Sequence, residues 1–243
     1  MSITDKHRHS KGKVTLVGFG PGNPDLLTIG GERAISEADL IFYDDLIDQS
    51  FLDRYQSEKV YVGKRRHCHS HEQDAINKMM VDAALGGKKV ARVKGGDPMV
   101  FAHGGEEIRF LKENGIEVEI IPGLSTGIAV GALAQIPLTL RGTASSIAFI
   151  TGHTTDLELP NTDTLICFMA GSTIHKIAAK AIAEGRNPNT AVALIHNVSL
   201  PNQQEYYSTL EQLSVSEIVY PTPIIIVIGD VVDHSKLIKE ITL

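Results

Sequence analysis

Little in this chain suits a secreted, membrane-spanning or nucleic-acid-binding protein. It has only two cysteines, Cys68 and Cys167, in 243 residues. It also lacks a secretory apolar segment near its start, so a cytoplasmic protein without structural disulfides is the expectation. The longest apolar run, 224–228, falls far short of the roughly 20 residues that span a bilayer. Positive charge is not in excess. Lys and Arg number 23 against 29 Asp and Glu, a net charge of −6, which argues against a general nucleic-acid binder. A local basic cluster can still receive an anionic small substrate. No repeat or low-complexity tract is present. What remains is an ordinary globular composition, 42% hydrophobic and 21% charged, long enough for one large or two small α/β domains.

Short Val/Ile/Leu-rich runs alternate with helical patterns from residue 14 to about 122. Strands are expected at 14–18, 40–43, 59–62, 89–94 and 117–121, with helices at 27–37, 72–85 and 105–114. That alternation predicts a parallel sheet with helical crossovers. Pro122-Gly123 breaks it, and a helix over 124–134 follows. A second set has strands at 146–151, 164–169, 191–196, 205–208 and 223–228, with helices at 173–184 and around Leu210. The polar, tyrosine-containing segment 203–209 reads as part of a hairpin, so the second sheet is expected to be mixed. The expected division is a tail over 1–12, an N-terminal α/β domain over 13–123 and a C-terminal one over 124–243.

Candidate chemistry gathers at strand ends. The run from Val90 to Lys94 stops at Gly95-Gly96-Asp97-Pro98, and glycines there let a backbone approach a ligand because no Cβ intervenes. In open α/β sheets that edge is where ligands bind. Phe42-Tyr43-Asp44-Asp45 and Val62-Gly63-Lys64-Arg65-Arg66 end two other strands with acid, glycine or base. Gly18-Phe19-Gly20-Pro21-Gly22 invites a dinucleotide reading, but Asn23 stands where glycine or alanine is needed and Pro21 deletes an N–H. His67-Cys68-His69-Ser70-His71 resembles a metal ligand set, yet no second cluster sits nearby to complete four ligands. It reads instead as a basic loop suited to a polycarboxylate. Gly123-Leu124-Ser125-Thr126-Gly127 matches a nucleophile elbow in letters. Pro122 and the lack of a later Asp then His on plausible loops argue against a hydrolase. Ser125 is more simply a helix cap.

In order, these stations resemble the tetrapyrrole (precorrin) methylase family. The resemblance runs from about Val14 to Val232. It rests on Val17-Gly18-Phe19-Gly20-Pro21-Gly22-Asn23-Pro24-Asp25, Ala38-Asp39 with Tyr43-Asp44, and Val62-Gly63-Lys64-Arg65 followed by His69, Gln73 and Asn77. Lys94-Gly95-Gly96-Asp97-Pro98 with Gly104-Gly105-Glu106-Glu107, Pro122-Gly123, Ile136-Pro137-Leu138-Thr139 and Thr151-Gly152-His153 complete it. It implies a two-domain class III methyltransferase fold with a parallel N-terminal and a mixed C-terminal sheet. It also implies a homodimer, and S-adenosylmethionine folded into the cleft between domains. The implied reaction methylates uroporphyrinogen III at C2 and C7, giving precorrin-1 and then precorrin-2. Carried over by motif, cofactor contacts fall on Pro21, Gly95, Gly96, Asp97, Val100, Ser125, Thr126, Met169 and Val198. The proton acceptor and donor fall on Asp44 and Lys64. Arg65, His69, His103 and Arg141 are candidate clamps for substrate carboxylates.

The chain departs from the family pattern in three places. Ala102-His103 replaces the usual Gly-Arg, Leu140-Arg141-Gly142 the usual His-Arg-Asp, and His196-Asn197-Val198 the usual Glu-Asn-Gly. The first two bear on which tetrapyrrole is taken more than on methyl transfer. The third crowds a backbone contact. Three alternatives follow: methylation of another precorrin ring, nicotinamide-dependent oxidoreduction, and cofactor or tetrapyrrole binding without turnover.

Overall fold

Strands of the first sheet are buried at successive positions, with alternate side chains entering the cores on opposite faces. The computed structural model describes residues 12–63, 73–153 and 158–234. Strands β1 (Lys13–Gly18), β2 (Leu40–Tyr43), β3 (Glu58–Tyr61), β4 (Val90–Lys94) and β5 (Glu117–Ile121) form one parallel sheet in the order β3-β2-β4-β1-β5. Val14 stands in register with Val90 on one side and Val118 on the other. Helices α1 (Ile29–Ser36), α2 (Gln49–Leu52), α3 (Gln73–Leu85) and α4 (Gly104–Glu113) connect the strands. Val14, Leu16, Leu40, Phe42 and Val90 pack with Ile76 and Met80 of α3 and Leu111 of α4. Val17, Ile41, Tyr43, Ala91 and Val93 pack with Ile35 of α1 and Phe51 and Leu52 of α2. The sheet is thus covered on both faces, as parallel sheets are.

The second sheet takes β6 (Ile147–Thr151), β7 (Thr164–Phe168), β8 (Ala191–His196), β9 (Gln204–Thr209) and β10 (Ile224–Ile228) in the order β6-β7-β10-β8-β9. β6 and β7 are parallel, whereas β10 runs antiparallel to β7 and β8, and β9 to β8. The mixed sheet expected from the polar 203–209 segment is therefore present, with β8 and β9 as its hairpin. Leu165, Cys167 and Ile226 face α6 (Ile174–Ala183) and α7 (Leu210–Ser214). Ile166, Ile195 and Ile225 face α5 (Thr126–Leu133). The chain divides into two compact units, one through Ser125 and the other from Thr126. Among the described residues, no helix is long and apolar enough to cross a membrane.

The helix expected at 27–37 starts later, at Ile29, because a single 3-10 turn, Pro24–Leu26, comes first. Asn23 caps that turn, accepting from the Asp25 N–H at 3.0 Å. Thr28 then caps α1, accepting from the Gly31 N–H at 3.0 Å. The four-residue helix α2 has no counterpart among the expected elements. Its apolar pair, Phe51 and Leu52, is too short to show helical periodicity.

Where the strands β1, β4 and β5 end, three backbone segments lie against one another. A Cβ built on Gly123 would sit 2.2 Å from the Gly96 carbonyl oxygen and 2.6 Å from the Gly18 carbonyl carbon. No side chain fits there. Gly105, in the first turn of α4, has nothing within 4 Å of the same position. Gly123→Ala is expected to cost about 1–3 kcal/mol, the scale of overpacking. Gly105→Ala is expected to be neutral or to gain about 0.4–1 kcal/mol by restricting the unfolded chain. Urea unfolding of the two variants beside the parent chain checks both signs.

Candidate active site

All strands of a parallel sheet end at the same edge, so the residues that follow them are neighbours by topology. In the first unit that edge carries Phe19-Gly20-Pro21 after β1, Asp44 after β2, Gly63 close after β3, Gly95-Gly96-Asp97 after β4 and Pro122 to Ser125 after β5. Two of these loops are locked together. The Gly20 N–H donates to the Gly96 carbonyl at 3.1 Å, and the Gly96 N–H returns a bond to the Gly20 carbonyl at 2.7 Å. Gly96 holds a left-handed φ of 69° and Gly20 one of 86°, which glycine adopts without a steric penalty. Asp97 joins a third loop. Its Oδ2 accepts from the Gly123 N–H at 3.0 Å and its Oδ1 from the Met99 N–H at 2.8 Å. The acid expected near a cofactor is thus also the staple that holds the glycine loops in place.

Asp44 belongs to a buried charge cluster that the strand period explains. Phe42 and Asp44 share parity, as do Val90, Arg92 and Lys94, so the charges continue the face that packs against α3 and α4. Arg92 and Lys94 are each 4% exposed and Glu107 of α4 is fully buried. Glu107 Oε1 accepts from Lys94 Nζ at 2.8 Å and from Gln73 Nε2 at 3.0 Å, and Arg92 Nε stands 3.4 Å away. Arg92 Nη2 reaches Asp44 Oδ2 at 3.6 Å. Gln73 also donates to Asn77 Oδ1 at 3.1 Å. Among the described residues, Glu107 Oε2 has no hydrogen-bond partner. Burial pushes the Asp44 carboxyl above the usual carboxylate range, and Arg92 and Lys94 pull against it. Burial holds the Lys94 ammonium below its ordinary value, helped by Arg92 and opposed by Glu107. A carboxyl poised by burial and flanked by cations is suited to accepting a proton.

Ser125 precedes α5 and is 7% exposed. Among the described residues its Oγ has no hydrogen-bond partner, so there it neither caps the helix nor meets the histidine that a hydrolase nucleophile requires. Val100 closes a turn on Asp97, its N–H donating to the Asp97 carbonyl at 3.2 Å. His103 has a left-handed φ of 58° at the start of α4. Its exposed ring sets Nδ1 3.1 Å from Glu106 Oε2, so a carboxylate already faces this proposed clamp. Lys64, Arg65 and His69, and with them the His67 to His71 cluster, lie outside the described residues. Among the described residues no group of three His, Cys, Asp or Glu is placed to hold a metal.

In the second unit, β7 and β8 flank β10 and end at one edge. Met169 follows β7 with a left-handed φ of 54°, and Asn197 and Ser199, either side of Val198, have φ of 50° and 76°. Such backbone is costly for non-glycine residues and gathers at binding sites. Val198 is 5% exposed and its side chain joins the core with Val130 and Ile195. The isopropyl group is therefore absorbed inward, and outward contact at this position falls to the backbone. Thr126 opens α5, and Arg141 lies in an exposed turn beside Gly142. Cys167 is buried in the core, which pushes its thiol up to about 12 and rules it out as a nucleophile.

Sequence reasoning gives Arg92 no role, and Lys94, Gln73 and Glu107 enter it only as letters of a shared pattern. The available signal is two cations at alternate positions of a strand whose sheet is covered on both faces. The nicotinamide reading meets a structural obstacle. A dinucleotide fingerprint needs its helix to open at the glycines, but residues 23–28, including the 3-10 turn, intervene before α1.

The family model described as Tetrapyrrole (Corrin/Porphyrin) Methylases matches residues 13–214. A uroporphyrinogen-III C-methyltransferase of Bacillus subtilis (strain 168) is 42% identical over 240 residues, which cover 93% of each chain. A siroheme synthase of Psychrobacter sp. (strain PRwf-1) is 39% identical over 94% of this chain, which spans 50% of that longer protein. Among solved structures, the uroporphyrin-III C-methyl transferase of Thermus thermophilus complexed with S-adenyl homocysteine is 34% identical. The alignment covers 92% of this chain and 100% of that one, with a TM-score of 0.81.

The direction of the Asp44 shift has a consequence for stability. A carboxyl whose folded value is raised binds its proton more tightly when folded, so its charged form works against folding. That opposition is complete above the folded value and vanishes below the ordinary value of about 3.9. Asp44→Asn is therefore expected to raise the urea midpoint at pH 7, with the gain disappearing as the pH falls towards 3. Unfolding curves at the two pH values check the sign.

Proposed function

The chain belongs to the tetrapyrrole methylase family, and from that membership we propose that it uses S-adenosylmethionine to methylate uroporphyrinogen III at C2 and C7, yielding precorrin-2. The observation that carries the reading is Asp44, a carboxyl lifted by burial at the same sheet edge as the locked Gly20–Gly96 loops. The naming of the relatives and the S-adenyl homocysteine in the Thermus protein support it. A small-molecule tetrapyrrole, a homodimer and a cytoplasmic setting without nucleic acid belong to the same reading, in keeping with the net charge of −6.

The residues present fit such a cofactor. The buried Ser125 hydroxyl lacks a partner among the described residues and suits a carboxylate or ribose oxygen. Gly95 and Gly96 offer backbone without side chains. Pro21, Gly95, Gly96, Asp97, Val100 and Ser125 are the proposed contacts in the first unit, and Thr126, Met169 and Val198 those in the second. When bound, S-adenosylmethionine supplies an electrophilic methyl group whose leaving group is a neutral thioether. The protein then has little covalent work to do. Its loops have to hold the reactants in line and keep water out, which accounts for a site of glycines and backbone groups rather than a nucleophile.

Once the ring carbon carries its new methyl group, the cationic macrocycle returns to neutrality by losing a proton. Asp44 is the proposed acceptor: the electron pair of the broken bond stays with the ring, and the proton passes to the carboxylate. Lys64 is the proposed donor or carboxylate partner. Arg65, His69, His103 and Arg141 are proposed to engage the acidic substituents of the ring.

Anaerobic incubation with S-adenosylmethionine and enzymatically prepared uroporphyrinogen III tests the reading by mass. A product heavier by two CH2 units is expected, each methyl group gained being offset by one proton lost. Asp44→Asn is expected to lower the rate by about 10²–10⁴-fold, the scale of a general base. S-adenosylmethionine binding without any mass gain would instead favour a non-catalytic binder.

A further inference from the structure

The cluster behind Asp44 contains more charge than folding requires. Buried ion pairs seldom add stability over apolar residues of similar size, and buried polar atoms normally find partners. Among the described residues, the fully buried Glu107 accepts every donor on one oxygen and leaves the other, Oε2, without any. An acceptor kept only to satisfy hydrogen bonds would use both. Its effect lies in its charge. Lys94 Nζ is 2.8 Å from Oε1, Gln73 Nε2 3.0 Å and Arg92 Nε 3.4 Å. The link from Arg92 to Asp44 is looser, at 3.6 Å.

We propose that Glu107 is a positioning residue for Asp44: it draws Arg92 and Lys94 to itself, so that Asp44 is oriented by cations without being locked into a tight ion pair, and stays able to take a proton. The inference rests on the reading of Asp44 as the proton acceptor. Two cations and two carboxylates sum to zero. Without Glu107 the cluster would hold one excess positive charge, and Asp44 would be bound as a weak base. Without Lys94 it would hold one excess negative charge, and Asp44 would keep its proton. Among the described residues, the charged groups that face Asp44 are Arg92 and Lys94 from β4 and Asp45 beside it. Glu107 of α4 stands behind the two cations. The contributions from α3, Gln73 and Asn77, are neutral. The Leu46 N–H donates to Asp44 Oδ1 at 3.3 Å and fixes the carboxyl plane from its own loop.

The test is a carbon-13 titration of the full chain with carboxyl-labelled aspartate, the Asp44 signal being assigned by its loss in Asp44→Asn. The midpoint is expected to fall by about one pH unit in Glu107→Gln and to rise by a similar amount in Lys94→Met. In the double variant neutrality is restored and the midpoint returns towards the parent value. The acid limb of the turnover profile on uroporphyrinogen III should move in the same directions. A merely structural role would lower activity in both single variants without opposite displacements. Shifts of the same sign, or none in chains whose near-ultraviolet circular dichroism is native, would overturn the proposal. If Glu107→Gln does not fold, Lys94→Met and the double variant decide alone, and anything but a rise followed by a return counts against it. Full turnover in Asp44→Asn would remove the base reading, while the titrations would still decide whether the coupling exists.

Discussion

The close meeting of Gly18, Gly96 and Gly123 governs what the first unit presents. Parallel strands have to be left by loops that turn back over the sheet, and here the loops after β1, β4 and β5 turn back through the same small volume. Only backbone fits, so the three segments approach closely enough to bond. Gly20 and Gly96 exchange N–H and carbonyl, and Asp97 takes the Gly123 N–H. Each loop thereby fixes the others, and the edge becomes a rigid surface of peptide groups. Rigidity is the property that a transferase of this kind requires, because a misplacement of about 1 Å at a reacting centre costs about two orders of magnitude in rate. The glycines matter less for flexibility than for the room they leave.

The buried charges stand beside that surface, in the same row of the sheet. Along the face that packs on α3 and α4, the row of Val14, Leu40 and Val90 is apolar, Arg92 enters beside Phe42 and Leu16 in the next row, and Lys94 and Asp44 follow as the edge is reached. The core supplies the low dielectric and the edge supplies the opening. A carboxyl at this boundary is lifted by burial and restrained by its cations at once, and the balance is set by side chains that never reach solvent. The arrangement opposes stability, as functional sites often do. It persists because strands buried on both faces hold the cluster from all sides.

Much of this architecture is legible in the amino-acid sequence alone. Leu40–Tyr43 is a strand at the residues where apolar character begins and ends, between Asp39 and Asp44. The punctuation Gly95-Gly96-Asp97-Pro98 marks the sheet edge, because paired glycines after an apolar run admit few other readings. The parts that are not legible share a cause. Arg92 and Lys94 alternate with Ala91 and Val93, a pattern that in an isolated strand means one wet face. Only the arrival of α3 and of α4, whose Glu107 is thirteen residues from Lys94 in sequence, makes that face dry. Helix α2 is hidden because four residues cannot display a 3.6-residue period. Asp97 is legible as a site residue but not as a staple, since its bond to Gly123 crosses 26 positions.

The departures from the family pattern can be weighed on the same physical footing. Val198 replaces a small residue, yet its side chain is absorbed by the core of its own unit, and the unusual backbone is carried by Asn197 and Ser199 on either side. The change is therefore compensated where it occurs. His103 is different. It replaces an arginine with a shorter side chain, sits in a left-handed conformation, and faces Glu106 rather than open solvent alone. An arginine offers a fixed fork of donors for a carboxylate, whereas a histidine offers at most two and has a neighbouring acid to satisfy first. Neither residue belongs to the Asp44 cluster. On the proposed reading, methyl transfer and substrate choice draw on neighbouring parts of the first unit, joined where the Glu107 N–H donates to the His103 carbonyl at 3.1 Å. On that reading the glycine edge and its buried charges serve the chemistry, and His103 serves recognition. On that reading a change at His103 bears first on which acidic ring is preferred, and reaches the charge balance around Asp44 through the α4 backbone that carries Glu107.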